Sequence, residues 1–175
     1  MEPHPPEPVL LFCGLLAASE ERLDLANKEL IARFGPPIDR SPLLSWNFSD
    51  YYDTEIGKPL LRQFVFFEEK ISPDRLAGIK RETIGIEISL SETREGKICR
   101  MVNIDPGYLA PAKVVLATAK DFAHRIYLAD GIYAEVALLF LKNSFTPLPH
   151  TYPDFRSEPY IEIFNKARRW VMING

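Results

Sequence analysis

Two side chains able to hold and pass protons, His124 and Glu135, flank an Asp130-Gly131 pair in this 175-residue chain. A two-residue Asp-Gly loop specifies a type I′ hairpin. Pairing outward from it sets Ala129 opposite Ile132, Leu128 opposite Tyr133, Ile126 opposite Glu135 and His124 opposite Ala137. His124 and Glu135 then share one face as diagonal neighbours, within reach of an ion pair. A carboxylate so placed raises the proton affinity of the imidazole and can orient it as a general acid or base. The same geometry equally describes a structural ion pair on a half-exposed ribbon.

Charge directs attention to the segment that precedes this hairpin. Residues 1–96 hold 11 basic and 17 acidic side chains, whereas residues 97–125 hold five basic (Lys97, Arg100, Lys113, Lys120, Arg125) and two acidic (Asp105, Asp121). Within this basic stretch, Asp105-Pro106-Gly107-Tyr108 has the proline and glycine of a type II turn. Its backbone N–H groups and the neighbouring cations could receive a phosphate or another anion; a solvated flank of a strand is the alternative. Asp105 joins His124 and Glu135 as an acid/base candidate.

Other chemistries find no support. The three histidines, His4, His124 and His150, form no H-E-x-x-H or H-x-x-H pair. Cys13 and Cys99 lie in apolar runs far apart and read as reduced, buried thiols, so no metal site is expected. There is no G-x-S-x-G elbow, no G-x-x-x-x-G-K-[ST] loop and no G-x-G-x-x-G run. A net charge of −3 disfavours nucleic acid as a partner. The apolar run Val9 to Ala18 is too short to span a bilayer and lacks a basic segment before it, which reads as a cytoplasmic protein not associated with membranes. No cofactor is identifiable.

The elements that must position these residues follow from periodicity. A Pro-rich tail, residues 1–8, is expected to be disordered and to precede a single α+β domain over 9–175. Val9 to Leu16 is apolar at both parities, as in a central strand. Ser19 caps a helix with the stripe Leu23, Ala26, Leu30 and Phe34, ended by Gly35-Pro36. Leu44, Trp46 and Phe48 alternate as an edge strand, and Leu60 to Phe67 is a second central strand. Ser72-Pro73 opens a helix with the stripe Leu76, Ile79, Thr83, Ile86 and Leu90, although Ile84 to Leu90 also alternates as a strand would. Ile98 to Ile104 is a strand. This order is the split βαβ, or ferredoxin-like, plan with the first and third strands central, to which a C-terminal β-hairpin and helix are added. Helices cover one face of such a sheet, so strands apolar on both faces need a second cover from the rest of the chain. Pro111 to Phe122 could be a helix or a strand, and the helix is the preferred reading ahead of the hairpin. Ser157 caps a last helix with the stripe Tyr160, Phe164, Ala167 and Val171.

The stretches NIDPGYL (Asn103 to Leu109), KVVLATAKDFAHRIYL (Lys113 to Leu128), DGIYAEV (Asp130 to Val136) and TYPDFR (Thr151 to Arg156) together resemble an uncharacterised bacterial domain family, one of the numbered domains of unknown function. The resemblance covers nearly the whole chain. Some members of that family carry an automatic label of GTP-binding protein. Thr118-Ala119-Lys120-Asp121 departs from the guanine-reading [NT]-K-x-D motif, its lysine being one place late, and the phosphate loop is absent. The resemblance implies a small bacterial cytoplasmic protein and no particular activity. Through its motifs it marks Tyr108, Lys113, Lys120, Asp121, Arg125, Tyr152, Asp154 and Arg156 as ligand-binding candidates beside Asp105, His124 and Glu135. Two functions follow as expectations: binding of an anionic small molecule, a nucleotide or phosphate ester, between the DPGY turn and the HRIYL hairpin; or a non-catalytic interaction module, such as a homodimer formed through an apolar sheet face. Whether the site catalyses a reaction stays open.

Overall fold

The computed structural model of the chain describes residues 2–173; the first residue of the expected tail and the last two of the expected domain lie outside them. Residues 2–8 are exposed and have no regular secondary structure. Strand β1 (Val9–Ala17) is buried along its whole length, as its apolarity at both parities requires. It pairs antiparallel with β4 (Leu60–Ile71) on one side and β7 (Val102–Ala110) on the other. The outer edge of β4 is shared by β2 (Pro37–Arg40) and β3 (Leu44–Trp46). Beyond β7 lie β8 (Lys113–Thr118) and then β10 (Ile132–Leu141), whose outer edge is shared by β9 (Ile126–Ala129) and β11 (Ser144–Pro147). These nine strands form one antiparallel sheet of order β11-β10-β8-β7-β1-β4-β2, with β3 and β9 off this path; β5 (Glu92–Arg94) and β6 (Lys97–Cys99) make a separate ribbon.

Among the described residues, three α-helices cover the sheet. Helix α1 (Glu20–Phe34) starts where the Ser19 hydroxyl accepts from the Arg22 N–H and stops at Gly35, whose φ of 84° suits glycine. With α2 (Leu76–Ser89) it packs on the face of β1 that carries Leu11, Cys13, Leu15 and Ala17. The opposite face, with Leu10 and Phe12, is covered by α3 (Glu158–Ile173) through Tyr160, Phe164, Ala167 and Val171. This C-terminal helix is the second cover that the doubly apolar strands demanded. Phe12, Phe64, Phe66, Phe155, Tyr160 and Phe164 form a continuous aromatic cluster beneath it, with edge-on contacts predominating.

Several expectations are corrected. Residues 113–118 are a strand rather than part of a helix, because Val114 and Val115 bury opposite faces between β7 and β10. The C-terminal hairpin is therefore no appendage: β8 splices it into the main sheet. Asp105-Pro106-Gly107-Tyr108 is not a turn but the middle of β7. The expected strand Ile98 to Ile104 divides, so Cys99 sits in the β5–β6 ribbon and not beside Cys13; both are free thiols, and Cys99 is only half-buried. Strand β3 ends at Trp46, leaving Phe48 exposed in the loop. Of the two readings of residues 84–90, the helical one holds. No helix among the described residues is long and apolar enough to cross a membrane.

Candidate functional site

The ladder between β7 and β8 runs only from Gly107 opposite Leu116 to Ala110 opposite Lys113. Pro106 has no N–H with which to continue it, and the two strands part there. Gly107, the last paired residue, lies so close to its neighbours that a Cβ would stand 2.3 Å from the Val115 carbonyl and 2.5 Å from the Phe12 ring. On the vacated side of β7 the backbone of Ile104 finds its partners on α2: its N–H donates to Glu87 Oε1 at 2.6 Å, and its carbonyl accepts from Lys80 Nζ at 2.8 Å. Two helical side chains thus take the place of a strand.

The parting opens a cavity of about 600 Å³, within the size range of small-molecule sites. Asn103 and Asp105 of β7 form one wall, Leu116 to Thr118 of β8 another, and Lys80, Ile84 and Glu87 of α2 a third. Arg62 from β4, Glu135 from β10 and the segment Tyr152 to Phe155 complete it. Its mouth carries exposed Phe48, Tyr51 and Tyr152. The Lys120 ammonium reaches across to Tyr51, 3.1 Å from the hydroxyl and 4.4 Å from the ring centroid.

Arg62 is the charge at the centre of the deep end. Only 3% exposed, it donates from Nε to the Tyr160 hydroxyl at 3.1 Å and from Nη2 to Asp154 Oδ2 at 3.2 Å. Trp46 Nε1 donates to the same Asp154 oxygen at 3.0 Å. Burial works against the guanidinium charge, but Tyr160, Asp154 and Asp105 outweigh it and hold the pKa above the ordinary arginine value. Nη1 lies 3.8 Å from Asp105 Oδ2 and is buried without a hydrogen-bond acceptor. Gly14, opposite Asp105 in β1, leaves the room that this nitrogen occupies: a Cβ there would sit 3.1 Å from it. Nearby, Arg100 grips Glu55 through two hydrogen bonds of 2.8 and 2.7 Å; this pairing raises the arginine pKa and draws the Glu55 carboxyl below its ordinary range.

Glu135, 2% exposed, lies on the other side of the cavity. Its Oε2 accepts from Arg125 Nε at 2.7 Å and lies 2.9 Å from His124 Nε2. The expected contact between His124 and Glu135 is therefore made, but not by the expected register. Asp130 and Gly131 both have positive φ, of 53° and 76°, as a type I′ turn needs. Pairing then passes from Ala129–Ile132 to Tyr127–Tyr133, leaving Leu128 as a bulge. Strand β9 starts only at Ile126, and a turn closed by the Arg125 N–H on the Phe122 carbonyl brings both His124 and Arg125 to the carboxylate. The His124 ring stacks on His150, with centroids 4.2 Å apart.

Of the residues singled out in the sequence, Asp105, Lys120, Glu135, Tyr152 and Asp154 line the cavity. His124 and Arg125 stand behind Glu135, with Arg125 Nη2 also donating to the Tyr152 hydroxyl. Four do not belong. Lys113 is exposed at the far end of β8, and Asp121 is exposed in the following loop. Tyr108 packs against the α2 face with Val115 and Ala117. Arg156 is spent on the carbonyls of Thr151, Leu148 and Pro149. Reading the sequence missed Arg62, Lys80, Glu87 and Asn103, and placed Arg100 only in the general basic stretch. Arg62 had a signal, a lone cation inside the apolar run Leu60 to Phe67; Lys80 and Glu87 had a weaker one, two charges beside the buried stripe of α2. Among the described residues no group of three His, Cys, Asp or Glu side chains is placed to hold a metal ion.

Glu87 yields a stability prediction. Burial pushes its carboxyl above the ordinary glutamate range, against the pull of Lys80, the Ile104 N–H and Arg100. The folded state therefore keeps this proton more tightly than the unfolded chain. The stability so contributed is complete below the unfolded value and is lost as pH rises through the folded one. Glu87→Gln keeps an acceptor for Ile104 and cannot ionise. Urea unfolding at about pH 5 and about pH 8 is expected to show this component of the wild-type decline removed in the variant; equal slopes would assign the pH dependence to other groups.

Searches of curated proteins and of solved structures find no significant match. Residues 7–170, which contain β1 to β11 and every wall of the cavity, match the family model described as Domain of unknown function (DUF4416), and the chain belongs to that family.

Proposed function

We propose that the cavity between β7 and β8 binds an anionic small molecule with a planar ring, of the nucleotide or phosphate-ester kind. The observation that carries this reading is Arg62: the residue lines the cavity, and its Nη1 is a buried cationic donor with no hydrogen-bond acceptor of its own. A buried donor left unpaired is costly, and an anionic oxygen of a ligand would relieve it with a charge-assisted bond. Lys80, Arg100 and Lys120 stand on the walls among the carboxylates Glu87, Asp105, Glu135 and Asp154, and Phe48, Tyr51 and Tyr152 place exposed rings at the mouth. In this reading the protein is cytoplasmic, and β7-β1-β4-β3 with α1 and α2 is a split βαβ unit enlarged by the later strands.

Calorimetric titration with adenosine 5′-monophosphate, ribose 5-phosphate and inorganic phosphate tests the reading. Adenosine 5′-monophosphate is expected to bind most tightly, and the exposed substitution Lys120→Ala to weaken it about tenfold, the order of one charge-assisted contact. Absence of binding by all three probes, or affinity indifferent to Lys120→Ala, would overturn it.

A further inference from the structure

The cavity has a second unsatisfied pole. Both protein partners of Glu135, Arg125 Nε and His124 Nε2, meet the carboxylate at Oε2. Oε1 is buried and accepts from nothing, and the residue lines the same cavity as Arg62. Asp105 and Glu135 both act on the Tyr152 hydroxyl, whose pKa burial pushes up and these carboxylates raise further. The two ends of the cavity are thus complementary: an unpaired donor at Arg62 and an unpaired acceptor at Glu135.

We infer that Glu135 Oε1 is the recognition point for an N–H group of the ligand. Resting on the cavity reading above, this narrows the ligand to a phosphate-bearing heterocycle that carries an exocyclic amine, with the anion toward Arg62 and the amine on Glu135. Arg125 sets the polarity of this subsite. It needs an acceptor at Oε2, which leaves Oε1 as the carboxylate's free acceptor. In Glu135→Gln the same demand fixes the amide oxygen on Arg125 and turns the NH₂ toward the ligand, donor against donor. A site built to hydrogen-bond a ligand group also discriminates against the analogue that lacks it, because its own buried group is then left unpaired.

Two matched pairs of ligands, each differing by one amine, test the inference in calorimetric titrations. They are adenosine 5′-monophosphate against purine riboside 5′-monophosphate, and cytidine 5′-monophosphate against its 4-deamino analogue. In the wild type at least one aminated member is expected to bind about tenfold or more tightly than its partner, and Glu135→Gln to abolish or reverse that preference. The wild-type comparison stands even if the variant folds poorly. Equal affinity within both pairs would overturn the inference and leave the cavity reading intact. A preference that survives unchanged in folded Glu135→Gln would also overturn it. Absence of binding by all four, with none by ribose 5-phosphate or inorganic phosphate, would remove the cavity reading and this inference with it.

Discussion

Replacing Gly107 by alanine is expected to lower folding stability by about 3 kcal/mol or more, at the upper end of overpacking penalties. The added methyl would stand 2.3 Å from the Val115 carbonyl oxygen and within 2.8 Å of two Phe12 ring carbons. The first neighbour is backbone, held in the β8 ladder directly beside the point where β7 and β8 part. The second is a ring with no exposure, wedged among Phe64, Phe66 and Phe164. Neither can give way without breaking pairing or repacking the aromatic cluster. The internal comparison is Gly78→Ala in α2, where nothing lies within 4 Å of the new methyl; there alanine is expected to be neutral or to stabilise by about 0.5–1 kcal/mol through helix propensity. Urea midpoints of the two variants check the contrast. A Gly107→Ala midpoint matching the wild type would mean that the strands approach less closely than described.

Arg62→Met carries the second large effect. Removing the guanidinium leaves Asp154 buried and Asp105 partly buried without their shared cation, and takes the donor from the Tyr160 hydroxyl. Breaking one side of a buried ion pair typically costs about 3–5 kcal/mol, because the surviving charge is stranded. Stranding, rather than loss of packing, is tested by the double variant Arg62→Met/Asp154→Asn. It is expected to recover part of the loss, since the introduced amide oxygen can still accept from Trp46 and the side chain carries no charge. Recovery of nothing in the double variant would move the effect to packing around Phe64, over whose ring the guanidinium lies at 5.8 Å.

Those two residues also mark how far the sequence could be read. The central strands, all three long helices and the faces they bury were legible because each rests on a local period: both parities apolar in Val9 to Leu16, a helical stripe from Leu23 to Phe34, another from Tyr160 to Val171. What failed to show was non-local. Asp-Pro-Gly-Tyr has the composition of a turn, but Gly107 serves close approach of two strands and Pro106 ends a ladder, and both roles exist only once β1 and β8 are in place. Residues 113–118 carry apolar side chains whose strand character comes from partners on both sides. The hairpin turn was correctly specified by Asp130-Gly131, yet a bulge at Leu128 displaced every pair beyond the first. His124 and Glu135 met through a turn that no register rule contains. The candidate site was half visible for the same reason: Asp105, Glu135 and Asp154 sit in recognisable motifs, whereas Arg62, Lys80 and Glu87 come from elements whose patterns announce only the core.

The division of each sheet edge between two short strands bears on self-association. Beyond β4 the outermost segments are β2 and β3, of four and three residues; beyond β10 they are β9 and β11, of four residues each. A second copy seeking to extend the sheet would find no long, straight row of free N–H and C=O groups on either flank, only brief stretches with a change of strand between them. Interrupted borders of this kind are how β proteins resist stacking edge to edge. The broad apolar faces that a sheet-mediated dimer would use are already occupied by α1 and α2 on one side and α3 on the other. The sheet thus ends on both flanks in strands of three or four residues rather than in one long border, and at β9 the apolar side chains Ile126, Tyr127 and Leu128 stay exposed.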